Sequence, residues 1–208
     1  MRMIGTSARS GSGGLFFRRF LRNPFGVGSL CPSSQWLGRA MVEGLRLCPG
    51  DVILEYGPGT GSFSAVVEEW MDGVPGVRYL GIERDPEFYQ SLCGRFPRME
   101  FVNAPVEEVQ RLIAERGMAP PRVILSGLPL IFMPTMPRII RCAGEILAPG
   151  GAFRTFSYLQ SLLTPSSARV RSAMRANFDR VELSRLVARN FPPAFVLKGD
   201  KRGGEGAH

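Results

Sequence analysis

The chain has almost no histidine. His208, the last residue, is the only one, which excludes a Cys/His catalytic pair and most zinc sites. The four cysteines, Cys31, Cys48, Cys93 and Cys142, form no CxxC pair. They read as reduced, buried, small hydrophobes of a cytosolic protein, and no metal is expected. Long uncharged apolar runs are missing, so no segment reaches the ~20 residues that cross a bilayer. The opening "MRMIGTSARSGSGG" has no apolar centre and does not read as a secretory signal. Lysine is confined to Lys198 and Lys201. Acids are scarce at the start, where residues 1–46 hold seven arginines and one glutamate.

What is present is a chain of 208 residues with 44% hydrophobic content and a net charge of +8. That length and composition fit one domain with a real core plus an appended segment. The division expected is a basic N-terminal segment over 1–46, a main domain over 47–198 and a disordered tail over 199–208. A basic end calls for a polyanionic partner, either nucleic acid or an anionic membrane surface.

From residue 50 onward, strand and helix patterns alternate. Strands are predicted over 52–56, 77–82, 99–102, 122–126 and 152–157, with helices near 61–71, 86–95, 105–116 and 135–147. "FDRVELSRLVARN" and "AFVLK" are predicted to close the sheet as an antiparallel pair. Such alternation gives an α/β fold with a mostly parallel sheet and helices on both faces. Ligands of these sheets bind at the carboxyl ends of the strands, near the reversal of strand order. Three loops qualify: those after 56, 82 and 126.

The first loop reads "VILEYGPGTGSFS", with Glu55 at the strand end and then Gly57, Gly59 and Gly61. Glycine allows a sharp turn and close approach of a ligand to the backbone. Glu83, at the end of the second strand, is placed to accept both hydroxyl hydrogens of a ribose. Asp85 reads instead as the cap of a helix opening at Pro86. Together these segments resemble the class I methyltransferases that use S-adenosylmethionine. The resemblance implies a Rossmann-like, seven-stranded sheet with an N-terminal helical cap. It implies that Glu55, Gly57, Gly59, Gly61, Glu83 and Ser126 surround the cofactor. Relatives carry an aspartate for the adenine amino group where this chain has Asn103, whose amide oxygen can accept the same bond.

The loop after the fourth strand is Ser126-Gly127-Leu128-Pro129-Leu130. It is similar to the N-P-P-Y loop of rRNA and DNA amino-methyltransferases, with serine for asparagine and leucine for the aromatic. A flipped base would lose a stacking partner worth ~1–3 kcal/mol, whereas an aliphatic amine would lose nothing. Near the start, Phe16, Phe17 and Phe20 share a helical face flanked by Arg18, Arg19 and Arg22. That composition suits a helix lying in a membrane interface. The series "FLRNPFGVGSLCPSSQWLGRAM", "LEYGPGTGSF", "ERDPEF", "SGLPL" and "PGGAFRTFSYLQS" resembles the bacterial phospholipid N-methyltransferases. Tyr56, Asn103 and Leu159 depart from that pattern.

This resemblance implies an enzyme that methylates the amine of phosphatidylethanolamine towards phosphatidylcholine. It would work in the cytoplasm, peripherally attached to the inner face of the cell membrane. Ser126, Gly127, Leu128 and Tyr158 are the residues expected at the acceptor amine. Alternatives are an ornithine lipid N-methyltransferase, an rRNA adenine dimethyltransferase, and a non-catalytic membrane-binding protein of the same fold.

Overall fold

The computed structural model describes residues 33–203. The residues expected to contact a membrane, Phe16, Phe17, Arg18, Arg19, Phe20 and Arg22, lie outside the described residues, as does Cys31. Helix α1 (Ser33–Val42) comes first, followed by β1 (Val52–Tyr56), α2 (Ser62–Met71), β2 (Arg78–Glu83), α3 (Pro86–Arg95) and β3 (Glu100–Asn103). A 3-10 turn (Val106–Glu108) leads into α4 (Val109–Glu115) and β4 (Val123–Ser126). After a second 3-10 turn (Leu130–Phe132) come α5 (Met136–Ile146), β5 (Ala152–Tyr158), α6 (Pro165–Asn177), β6 (Arg180–Leu183) and β7 (Ala194–Asp200).

The strands form one seven-stranded sheet in the order β3-β2-β1-β4-β5-β7-β6. The pairs among β1 to β5 are parallel. β7 inserts antiparallel between β5 and β6. The order reverses between β1 and β4, whose last residues, Tyr56 and Ser126, are register partners. That crevice is where this topology binds ligands.

The central strands β1 and β4 are buried on both faces, so they read as continuous apolar runs rather than alternating ones. One core joins Ile53, Tyr79, Phe101 and Val123 of the sheet to Leu37 and Met41 of α1 and Phe63 and Val67 of α2. Helix α1 therefore packs with the main domain even though the sequence division placed it in the N-terminal segment. Gly38 permits the contact, since a Cβ there would stand 2.9 Å from Val66 Cγ2.

Two expectations need correction. The tail does not begin at 199, because β7 runs through Asp200 and the next residue is tied down. Lys201 Nζ donates to the carbonyls of Gly144 (3.0 Å) and Leu147 (2.8 Å), covering the end of α5. The three described cysteines are not core residues either: Cys48 and Cys93 are exposed and Cys142 is half-buried. Among the described residues, no helix is long and apolar enough to cross a membrane.

Candidate functional site

Three strand ends build the site. The loop after β1 turns through Gly57, Gly59 and Gly61 at φ of 65°, 56° and 76°. These are left-handed conformations that a side chain resists. Gly61 also lies where a Cβ would stand 2.7 Å from the Phe96 ring. The loop after β4 presses against the first: Gly127 N donates to Tyr56 O at 2.8 Å, and a Cβ on Gly127 would stand 2.6 Å from Gly57 O. The sequence thus brings the glycine loop and the acceptor loop into direct backbone contact.

Glu83 closes the second side. Its Oε2 accepts the Gly59 N–H at 2.9 Å and its Oε1 accepts the Asp85 N–H at 2.8 Å. The residue is wholly buried. Burial pushes its pKa up, and the two backbone N–H groups oppose that shift. A carboxylate has about four acceptor positions, so Glu83 is not saturated by these backbone N–H groups. Asp85 behaves as the cap expected of it, its Oδ1 accepting from Glu87 N and Phe88 N. Asn103 is exposed at the end of β3 and donates its amide nitrogen to Glu83 O at 2.9 Å. That bond fixes the amide and turns its oxygen to the other side.

Glu55 is not where a direct cofactor contact would place it. It is wholly buried, and its Oε2 accepts from Tyr79 OH at 2.7 Å and Ser64 Oγ at 3.0 Å. Burial raises its pKa to about 7, and the two hydroxyl bonds lower it less than burial raises it. Glu55 thereby ties β1 to α2 and β2. The Ser126 hydroxyl is buried and has no hydrogen-bond partner among the described residues. Tyr56 OH and Glu55 Oε1 are likewise buried and unpartnered. Three orphaned polar atoms thus belong to residues at the ends of β1 and β4. Unpartnered buried groups are rare in proteins and mark places where water or a ligand completes the bonding.

The acceptor loop is apolar partly for packing. Residues Ser126–Leu130 are all buried, and α6 packs against the 3-10 turn that begins at Leu130. Leu130 and Leu128 therefore face the interior more than a substrate. Leu128 O accepts the Leu130 N–H at 2.8 Å and keeps one lone pair. Phe132, two residues on, is 53% exposed. Reading the loop only as far as Leu130 misses this aromatic. Tyr158, at the end of β5, is half-buried with its ring 5.4 Å from Phe156, edge to face. Burial pushes its pKa up to about 12, so near neutral pH the phenol is protonated and orients groups rather than taking protons.

The glycine loop after β1 and the strand order, with β7 antiparallel between β5 and β6, are those of the class I S-adenosylmethionine-dependent methyltransferase fold. Solved structures agree. A TehB-like S-adenosylmethionine-dependent methyltransferase from Corynebacterium glutamicum superposes with a TM-score of 0.57 at 12% identity, covering 91% of this chain and 97% of that one. Fibrillarin from Aeropyrum pernix, solved with bound S-adenosyl-L-methionine, gives 0.59 at 14% identity over 81% of this chain and 76% of its own. In sequence, the chain is similar to an ornithine lipid N-methyltransferase from Singulisphaera acidiphila, with 29% identity over 188 residues, 86% of this chain and 91% of the relative. No family model matches the chain.

Proposed function

We propose that the chain is an S-adenosylmethionine-dependent N-methyltransferase acting on the amine of a membrane lipid headgroup. The observation that carries this is the contact of the two loops: the backbone of the loop after β4 abuts the glycine loop at Gly57, and Gly127 N donates to Tyr56 O. The similarity to a lipid N-methyltransferase over most of both chains supports it. That relative's printed substrate sets an ornithine lipid beside phosphatidylethanolamine as the acceptor.

In this reading, Gly57, Gly59 and Gly61 line the cofactor's amino-acid and ribose part, Glu83 holds the ribose hydroxyls, and the Asn103 amide oxygen accepts from adenine. The orphaned Ser126 hydroxyl fits a site that a ligand or its water completes. The bound cofactor supplies a methyl group on an electrophilic sulfonium. Glu83, held by the Gly59 and Asp85 N–H groups, would present its remaining lone pairs to the ribose hydroxyls. At the acceptor, a primary ammonium titrates near ~10, so presenting it neutral at pH 7 costs roughly 4 kcal/mol. Burial among Gly127, Leu128 and Tyr158 favours the neutral amine. The Leu128 carbonyl and the Tyr158 hydroxyl orient its N–H bonds, and proximity supplies much of the remaining catalysis. In this reading the chain works from the cytoplasmic side, attached peripherally to the inner face of the cell membrane through its basic N-terminal segment.

One observation favours a second reading. Exposed Phe132 beside the acceptor loop is a surface on which a nucleobase can stack, as an rRNA adenine dimethyltransferase requires. Incubation with labelled S-adenosylmethionine, vesicles containing phosphatidylethanolamine and an ornithine lipid, and small-subunit rRNA separates these readings. Label is expected in a methylated lipid, and the separated lipids identify which one. Label in adenine with none in lipid reverses the assignment.

A further inference from the structure

The carboxyl end of the sheet carries an apolar surface that the site does not use. Leu163 is 92% exposed, Phe191 74% and Leu159 45%. They belong to two loops, one from β5 to α6 and the other from β6 to β7. The loops are joined where Leu159 N donates to Pro193 O at 2.9 Å, directly past the Tyr158–Ala194 register pair. Water-facing loops are normally polar, and large apolar side chains clustered on one mark an interaction site. The charge around them has one sign. Residues 158–178 contain three arginines and no acid, and residues 184–193 contain Arg185 and Arg189 and no acid. Both of the latter are exposed, and the Arg189 guanidinium stacks over Trp36 at 4.5 Å, which holds it in place.

We infer that these two loops form a membrane-docking surface in which Leu159, Leu163 and Phe191 enter the interface of an anionic bilayer while Arg185 and Arg189 meet its phosphates. The bilayer is the occupant that the chemistry selects. Apolar tips with an unrelieved positive rim match an acyl-chain boundary under anionic headgroups. The surface also lies on the edge of the sheet that carries Tyr158 and the acceptor loop. Docking there turns the acceptor crevice towards the headgroups. This inference rests on the lipid reading above and adds a second contact, distinct from the basic N-terminal segment. It places the membrane at the β5 and β7 side of the site.

The test uses the full chain and vesicles of phosphatidylglycerol and phosphatidylethanolamine. Leu163→Glu combined with Phe191→Glu changes two side chains with little packing in the fold. It is expected to lower vesicle partition about tenfold or more while cofactor affinity stays unchanged. Leu163→Trp supplies the second readout: vesicles with brominated acyl chains should quench its emission beyond the background of the native tryptophans. Unchanged partition of the double variant, or no added quenching, overturns the inference. So does a vesicle-free dimer, detected by sedimentation velocity, that the double variant abolishes, because the surface then belongs to a second copy. Partition is measured without turnover. A chain that docks but labels no lipid retires the lipid N-methyltransferase reading and leaves the docking surface standing.

Discussion

Glu55→Gln tests the buried tie between β1, α2 and β2. In the folded chain, the Glu55 carboxyl is pushed from 4.5 to about 7, because burial disfavours its charge more than Tyr79 and Ser64 stabilise it. An acid with a raised folded pKa stabilises the fold only while protonated. Between the two values the folded state holds a proton that the unfolded state has released, so stability falls as pH rises. The contribution is fully present below about pH 4.5 and is lost through about pH 7. A shift of that size corresponds to about 3 kcal/mol. Glutamine keeps the shape and an acceptor for Tyr79 and Ser64 but carries no charge. The variant is therefore expected to match the wild type near pH 5 and to exceed it at pH 8, by up to about 3 kcal/mol. Glu83 is also shifted upward and gives both proteins a slope of the same sign, so the difference between them isolates Glu55. Urea unfolding followed by tryptophan fluorescence from pH 5 to 8 measures it. If both proteins lose stability in parallel across that range, Glu55 is not the buried acid described here.

Glu83→Ala removes the carboxylate that pairs with Gly59. In a folded variant, S-adenosylmethionine affinity should drop by ~1.5–3 kcal/mol for each charge-assisted bond lost; unchanged affinity by calorimetry refutes the ribose role. Gly127→Ala puts a Cβ 2.6 Å from Gly57 O, and separating the two loops should cost about 1–3 kcal/mol of stability and weaken cofactor binding. Denaturant melts with and without cofactor would show both effects, and a neutral substitution means the loops are not in contact. Deleting residues 1–22 should reduce binding to anionic vesicles and spare cofactor binding. Added salt should weaken the arginine part of vesicle binding. Equal pelleting of the truncated and full chains rules out the N-terminal segment as an anchor.

The strands were legible because each is a short apolar run bounded by proline, glycine or charge. Val52–Tyr56 matches its predicted limits, and β2, β3 and β4 begin one residue later than expected. The cofactor loop was legible for a related reason. Glycines at positive φ and an acid 24 residues beyond Gly59 leave a pattern in the sequence because backbone geometry demands those residue types. Glu55 shows where such reading stops. Whether its carboxyl faces the cofactor or the core depends on Ser64 and Tyr79, which α2 and β2 bring to it. Neither spacing nor residue type encodes that choice.

The acceptor loop makes the same point with more consequence for function. An apolar loop at a ligand-binding strand end has two physical causes: a greasy substrate in front of it or a helix packed behind it. The sequence supports the first, and the structure adds the second by burying Leu130 where α6 packs against its turn. The evidence for a lipid acceptor therefore moves away from Leu128 and Leu130 themselves. It rests on what surrounds the crevice: backbone and phenol groups suited to a small amine, similarity to a lipid N-methyltransferase, and exposed Leu163 and Phe191 beside arginines that no acid offsets. A nucleic-acid enzyme accounts for the arginines and for Phe132. It gives no reason for a leucine that is 92% exposed on the same edge of the sheet, whereas a membrane does.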